Sequence, residues 1–210
     1  MRWAVLVGGA GTNLRAIVEY GFPVSLVISH RKRAGALAIA AEFGLPAEII
    51  APSAYPDRGA YDQALRAVLG AYRIDAMALA GFMRWLHPET IAAFRNRIVN
   101  IHPSLLPAFP GLHAIERAYA HGVRWTGVTI HFVDEGEDTG PIIAQLPVPR
   151  QRDDTLDALA ERIHRAEHGL YPRILSALDR GEVVVEAAPE AERPRVLWKG
   201  AHSAWSIGHF

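Results

Sequence analysis

The chain predicts an α/β fold, a single Rossmann-like domain with a mostly parallel central sheet and helices on both faces. Three observations carry that expectation. A short apolar run ends in a glycine turn and leads into a helical pattern. The same strand-then-helix unit then recurs, and no internal repeat or clear linker interrupts the series. The expected domain covers residues 1–188, with 189–210 a tail packed on it or extending from it.

Trp3–Val7 is the first strand, closed by Gly8-Gly-Ala-Gly11. Leu14, Ile17 and Val18 then recur at helical spacing until Gly21. Val24–Ile28 reads as strand, Ala34–Phe43 as helix and Ala47–Ile50 as a short strand. Ala60–Leu69 is a helix, Ala76–Ala80 a strand, Ile98–Ile101 a buried strand, and Gly111–Ala120 begins another helix. Strands separated by helices imply right-handed crossovers between parallel neighbours.

The pattern changes after Gly122. Thr126–Val133 and Ile142–Val148 are strand-like runs joined by the acidic turn Asp134–Gly140. Thr155 is a candidate N-cap for a helix whose buried stripe is Leu156, Leu159, Ile163 and Ala166. Pro172 should end or kink that helix. From Pro189 the chain is first rich in proline and charge, then apolar at Val196–Trp198, which suggests an appended strand or surface segment.

A chain of 210 residues can bury roughly 70% of the surface its unfolded form exposes, enough for one sizeable core. Its 22 basic and 22 acidic residues cancel. That excludes the basic face of a nucleic-acid binder and leaves room for a local phosphate pocket. Cysteine is absent, which removes disulfides, thiol catalysis and thiolate metal sites. No apolar run is long enough to span a membrane and no secretory signal pattern opens the chain, so a cytoplasmic location is expected.

Gly8-Gly-Ala-Gly-Thr-Asn13 lies between the first strand and helix. Backbone N–H groups at a helix start attract anions, and glycines let a ligand approach. A dinucleotide fingerprint fits poorly: its third glycine would fall on Leu14, and the second strand ends in Ser29-His-Arg-Lys32, where NAD binding favours an acid. Phosphate-ester binding and a purely structural turn both stay open for this segment.

The central constellation is Asn100-Ile-His-Pro-Ser-Leu-Leu-Pro107. Period two puts Asn100 and His102 on one side of their strand near its C-terminal end, where ligands sit in open α/β sheets. A lone histidine there is more often a packing or surface residue. Two prolines beside a same-face Asn and His favour a functional reading. Asp138, in the acidic turn, stands close enough in topology to face His102, and carboxylate and imidazole would then reinforce each other's charged forms. Asn, His and Asp can polarise a carbonyl, stabilise an oxyanion and relay protons without providing a nucleophile, which suits transfer to a substrate amine. Ser104 lacks a nucleophile elbow, and the ten histidines form no metal-binding pattern.

Gly11-Thr-Asn13, Leu79–Arg84, Asn100–Pro107, Pro110–His113, His131–Asp134, Asp138–Pro141, Glu167-His168 and Tyr171-Pro172 together resemble the phosphoribosylglycinamide formyltransferase family, in the family's order, over approximately residues 1–185. The resemblance implies a formyltransferase version of the Rossmann-like fold. It implies 10-formyltetrahydrofolate as formyl-donor co-substrate, the amino group of glycinamide ribonucleotide as acceptor, and no required metal. Gly11, Thr12 and Asn13 would hold the acceptor phosphate and Glu167 would position the amine. Arg58 would stand near the ribose and phosphate and counts with the folate pocket, together with Met83, Arg84, Trp85, Leu86, Asn100 and the turn Asp134, Glu135, Gly136, Glu137 and Asp138. Asn100, His102 and Asp138 would carry the chemistry. The family commonly has Ser near Gly8 and at Thr12. Thr12 keeps the hydroxyl, and Gly8 gives up one polar group. The cluster Arg31–Arg33 and the end of the chain receive no role.

Rivals share the one-carbon chemistry. A methionyl-tRNA formyltransferase is expected to carry a further C-terminal RNA-binding domain and a larger basic surface. A formyltetrahydrofolate hydrolase is expected to carry an N-terminal regulatory domain, whereas Val5 already belongs to a sheet strand. A sugar-phosphate or folate binding protein without turnover would have no need of Asn100, His102 and Asp138 together. The implied partners are the two small-molecule substrates, with no nucleic acid and no membrane, and self-association into a homodimer is left open.

Overall fold

The strands β1 (Trp3–Val7), β2 (Val24–Ser29), β3 (Ala47–Ile49), β4 (Ala76–Ala80) and β5 (Ile98–His102) run side by side in the order β3-β2-β1-β4-β5. All four pairings are parallel, with Val5 opposite Val27 on one side and Ala78 on the other. Every residue of β1 and β4 is buried, as expected of strands covered on both faces. The expected α/β class with a mostly parallel sheet is what the chain adopts. The computed structural model describes residues 1–186 and 193–199. The chain divides into two compact units, Met1–Asn100 and the residues from Ile101 onward. The boundary expected at residue 188 lies outside the described residues.

Helices α1 (Thr12–Glu19), α2 (Gly35–Glu42), α3 (Arg58–Ala71) and α4 (Pro88–Ala93) connect the parallel strands. α3 starts where the Asp57 side chain accepts from the Ala60 amide at 2.8 Å, an N-cap that satisfies one orphan donor. The short α4 was not legible in the apolar pattern. It begins at Pro88, a residue pre-set for the first helical turn, and is tied back to α3 through Thr90 and Asp62 at 2.7 Å.

The strand order reverses at β1, between β2 on one side and β4 on the other. Crevices at such switch points, outside the carboxyl ends of the strands, are where α/β folds bind ligands. The Gly8–Gly11 turn leaves β1, and the segment containing Met83–Leu86 leaves β4, so both flank this switch point.

In the second unit, β6 (Trp125–Phe132) and β7 (Ile142–Pro149) form an antiparallel hairpin with Thr129 opposite Gln145. Helix α5 (Ala114–Ala120) starts three residues later than expected, because Gly111 at φ 76° and His113 at φ 58° are left-handed and cannot begin a right-handed helix. Helix α6 (Leu156–Asp179) is capped by Thr155, whose hydroxyl accepts from Ala158 at 3.1 Å.

Pro172 does not end α6, contrary to one of the outcomes expected from sequence. Leu170, Tyr171, Ile174 and Leu175 around it are all buried, and α6 packs on β6 and β7. Each such side chain contributes about 1.5–3 kcal/mol on burial, so four of them outweigh the roughly 3 kcal/mol cost of an interior proline. The last described segment is a hairpin of β8 (Val183–Glu186) and β9 (Arg195–Trp198), which makes Val196–Trp198 an appended strand. Pro189 and residues 200–210 lie outside the described residues.

Candidate active site

β5 delivers Asn100 and His102 from alternate positions of one strand, and His102 is buried. Its two ring nitrogens both face acceptors: Nε2 lies 2.8 Å from the Phe109 carbonyl and Nδ1 lies 3.2 Å from Asp138 Oδ2. A neutral imidazole has one N–H to give, so only its cation can satisfy both contacts. Burial nonetheless pushes the His102 imidazole below its usual value, against the pull of the Asp138 charge and the Phe109 carbonyl. The Asp138 charge does favour the protonated ring, as expected from the sequence, but burial opposes it more strongly.

Asp138 is the charged partner. Burial works to raise its carboxyl, but hydrogen bonds from His131 and from the Gly111 amide at 2.8 Å, with His102 beside it, hold it at about 2. The acidic turn is organised rather than merely solvated. Asp134 Oδ1 accepts from the Gly136 amide at 3.1 Å and from the Thr139 hydroxyl at 2.7 Å. That Asx turn fixes the backbone so that Asp138, at φ 54°, aims its carboxylate at His102. Asp134 therefore shapes the turn with its side chain.

Both pKa shifts make the fold sensitive to acid. The unfolded chain takes up the His102 proton as pH falls through 6.5, while the folded ring resists it. The stability contributed by Asp138 is full above 3.8 and is lost as pH falls toward about 2, worth on the order of 2 kcal/mol. The urea midpoint is expected to fall in both windows, and Asp138→Asn is expected to shrink the lower step, leaving the part due to Asp154, whose carboxyl Arg162 also holds at about 2. A variant retaining the full acid slope between pH 4 and 2 would show that another carboxylate is responsible.

Three residues of this neighbourhood carried no role in the sequence reading. His131, buried on β6, places Nε2 3.5 Å from Asp138 Oδ1 and Nδ1 2.8 Å from the Phe132 carbonyl, so a second imidazole braces the same carboxylate. Thr129 donates to the Ser104 carbonyl at 2.7 Å and accepts from the Leu106 amide at 3.0 Å. Gln145 donates to the Leu106 carbonyl at 2.8 Å. These bonds staple the loop after β5, which contains the cis Leu106–Pro107 peptide, to the β6–β7 hairpin. The available signal was a run of polar residues, Thr129 and His131, at period two within an otherwise apolar strand. Ser104 is fully buried and its hydroxyl donates to the Ala108 carbonyl, so it is no nucleophile. Glu167 is buried on α6.

In the first unit, Thr12 and Asn13 open α1 behind Gly11, which has no side chain to cap the helix. Gly11 is required twice over: its φ is 88°, and a Cβ there would lie 2.6 Å from the Ala36 backbone. Gly8 meets a different obstacle, since a Cβ at that position would lie 1.7 Å from the His30 ring. His30 itself is anchored by Nδ1, 3.0 Å from the Val7 carbonyl. Arg58, on α3, donates to the Leu86 carbonyl at 2.9 Å, bracing the Met83–Leu86 segment. Leu86 is buried, whereas Met83, Arg84 and Trp85 are exposed.

The family model for formyl transferase matches residues 1–175. Phosphoribosylglycinamide formyltransferase of Bacillus subtilis is 38% identical over 191 residues, 86% of this chain and 98% of that protein. The trifunctional purine biosynthetic protein adenosine-3 of Drosophila melanogaster is 43% identical over 192 residues, 88% of this chain but only 14% of that longer protein. Among solved structures, glycinamide ribonucleotide transformylase 1 of Symbiobacterium toebii has a TM-score of 0.86 at 45% identity, with 94% of each chain covered. Phosphoribosylglycinamide formyltransferase of Anaplasma phagocytophilum has a TM-score of 0.88 at 35% identity, with 97% of each covered. The chain belongs to the formyl transferase family.

Proposed function

We propose that this protein transfers the formyl group of 10-formyltetrahydrofolate to the amine of glycinamide ribonucleotide, a step of purine synthesis. The observation that carries the reading is the 3.2 Å contact of His102 with Asp138 at the strand end that also presents Asn100. The match of chains with that activity over nearly their whole length supports it.

The neutral amine attacks the formyl carbon, forming a C–N bond and an oxyanion. Asn100 donates to that oxygen. The attacking nitrogen then carries a surplus proton, which His102 accepts through water. Asp138 stabilises the resulting imidazolium, whose second N–H already has the Phe109 carbonyl as acceptor. Return of the proton to the folate nitrogen lets the C–N bond to the donor break, and the pair is restored. Because the nucleophile comes from the substrate, no metal is needed to generate one.

Gly11, Thr12 and Asn13 hold the acceptor phosphate at the α1 N-terminus, and Glu167 positions its amine. Arg58, Met83, Arg84, Trp85, Leu86 and the turn from Asp134 to Asp138 receive the folate, much of it through backbone groups. Residues 1–188 act as one formyltransferase domain and 189–210 as its tail, a reading supported by a family match that runs through both compact units. No helix among the described residues is long and apolar enough to cross a membrane, and small-molecule substrates suit a cytoplasmic location.

Purified protein with both substrates is expected to release tetrahydrofolate, followed by absorbance, only when glycinamide ribonucleotide is present, at the same rate with and without chelator. Formate release without the acceptor would identify a hydrolase. Transfer to methionyl-tRNA would identify the third activity, and complete chelator sensitivity would sink the metal-free mechanism.

A further inference from the structure

The β8–β9 hairpin takes no part in the mechanism above, yet two of its side chains reach the backbone just after Asp138. Arg193 Nη1 donates to the Gly140 carbonyl at 3.0 Å, and Trp198 Nε1 donates to the Ile143 carbonyl at 3.4 Å. Arg193 stands 53 residues from Gly140 in sequence, so the bond ties the appended segment to the acidic turn. Gly140 is buried, and a buried carbonyl requires a partner. Ile143 has the same requirement for another reason. The β6–β7 register passes from Ile130 opposite Ala144 to His131 opposite Ile142, which leaves Ile143 an extra residue with none facing it. β9 packs on β7, and that packing brings both donors to these carbonyls.

Within the turn, Asp134 gathers Gly136 and Thr139, and the Phe132 amide donates to the Pro141 carbonyl at 2.9 Å. Those bonds set the internal shape of the turn and close its neck. Gly140 lies between Thr139 and Pro141, and its carbonyl is held from outside by Arg193. Asp138 is two residues earlier and sits at φ 54°, a conformation that a non-glycine residue keeps only where its surroundings hold it. A rotation at Gly140 would be carried straight to the carboxylate that meets His102 at 3.2 Å. We propose that Arg193 is a positioning residue, and that the β8–β9 hairpin, through Arg193 and Trp198, keeps the Asp138 carboxylate within reach of His102. This assignment rests on the formyl-transfer reading, in which Asp138 supports the His102 cation.

The test compares Arg193→Ala, Arg193→Lys and Lys199→Ala with the wild type by steady-state kinetics and by NMR titration of the His102 imidazole. The charges that act on His102 are those of Asp138, His131 and Arg117, and Asp138 draws its titration upward. Of these three, Asp138 alone sits on the turn that Arg193 holds. Arg193→Ala is expected to lower kcat about tenfold, the effect of one hydrogen bond from a charged donor, with KM for glycinamide ribonucleotide unchanged. Its His102 midpoint should fall, in the direction that Asp138→Asn moves it. Arg193→Lys keeps the charge and a donor, so it should recover part of both losses. Lys199 is exposed just beyond β9, and Lys199→Ala should match the wild type.

A folded Arg193→Ala protein whose His102 midpoint stays or rises overturns the proposal, whatever its kcat. An unchanged kcat in a protein that transfers formyl does the same, and so do equal losses in Lys199→Ala. If Arg193→Ala does not fold, Trp198→Phe decides, because it keeps an aromatic ring and removes only the N–H donor. A smaller fall of the midpoint is expected there, and no fall overturns the proposal. The titration needs no turnover, which separates this assignment from the activity it rests on. In a protein that transfers no formyl group, a lowered midpoint supports the hold of the hairpin on Asp138 and removes the formyl reading alone.

Discussion

Asp138→Asn is expected to lower turnover by on the order of 10⁴ while leaving the fold and both KM values close to those of the wild type. The magnitude follows the loss seen when an acid that supports a catalytic imidazole is made neutral. The amide can still accept the Gly111 hydrogen bond, so the turn should survive. What disappears is the negative charge, and with it the stabilisation that lets a buried imidazole become a cation during proton transfer. His102→Asn should be similarly damaging, because it removes the proton acceptor itself. If the two work as one unit, the double variant should be far less damaged than the product of the single effects. Steady-state rates for the three proteins, with circular dichroism to confirm folding, test this. Near-normal turnover in Asp138→Asn would return that residue to the status of a turn residue.

Asn100→Ala is expected to cut kcat by about 10²–10³, with little change in donor affinity, the usual consequence of removing one oxyanion donor. Asn100 is followed by Ile101 and then His102, so strand geometry sets the spacing between the two groups to which the proposed mechanism assigns the oxyanion and the proton. The expected signature is a loss in kcat and in kcat/KM of similar size, as for an interaction made mainly in the transition state. A large rise in KM at unchanged kcat would assign Asn100 to ground-state folate binding instead.

β1, β2, β4 and β5 were legible as apolar runs that are largely buried, while the edge strand β3 is mostly exposed; all five fall within a residue or two of the stretches expected for them. α4 was not, because its six residues are too few to show a period. Pro172 misled because a local rule was outweighed by the packing of α6. In the site, Asn100, His102 and Asp138 stood out as polar groups at strand ends and turns. His131 and Thr129 were hidden by their position inside an apolar strand, where a polar residue is usually read as an exception. Their value depends on what lies across the hairpin or beyond the next turn, and one-dimensional spacing does not report that. The resting charge of His102 was also out of reach, since it depends on a balance between burial and a nearby carboxylate.

The close approach of Gly8 to His30 bears on how this sequence can change over evolutionary time. A side chain at position 8 would collide with an imidazole held by the Val7 carbonyl, so the two positions are not free to vary independently. Serine at position 8 becomes acceptable only after residue 30 has shrunk or swung away, and the reverse path requires glycine first. The order of substitution is constrained by sterics, even though residues 8 and 30 lie on different loops. A lineage with a bulky ring at position 30 is thereby committed to a bare backbone in the turn after β1, and any hydrogen bond that a serine hydroxyl would supply there has to come from another residue.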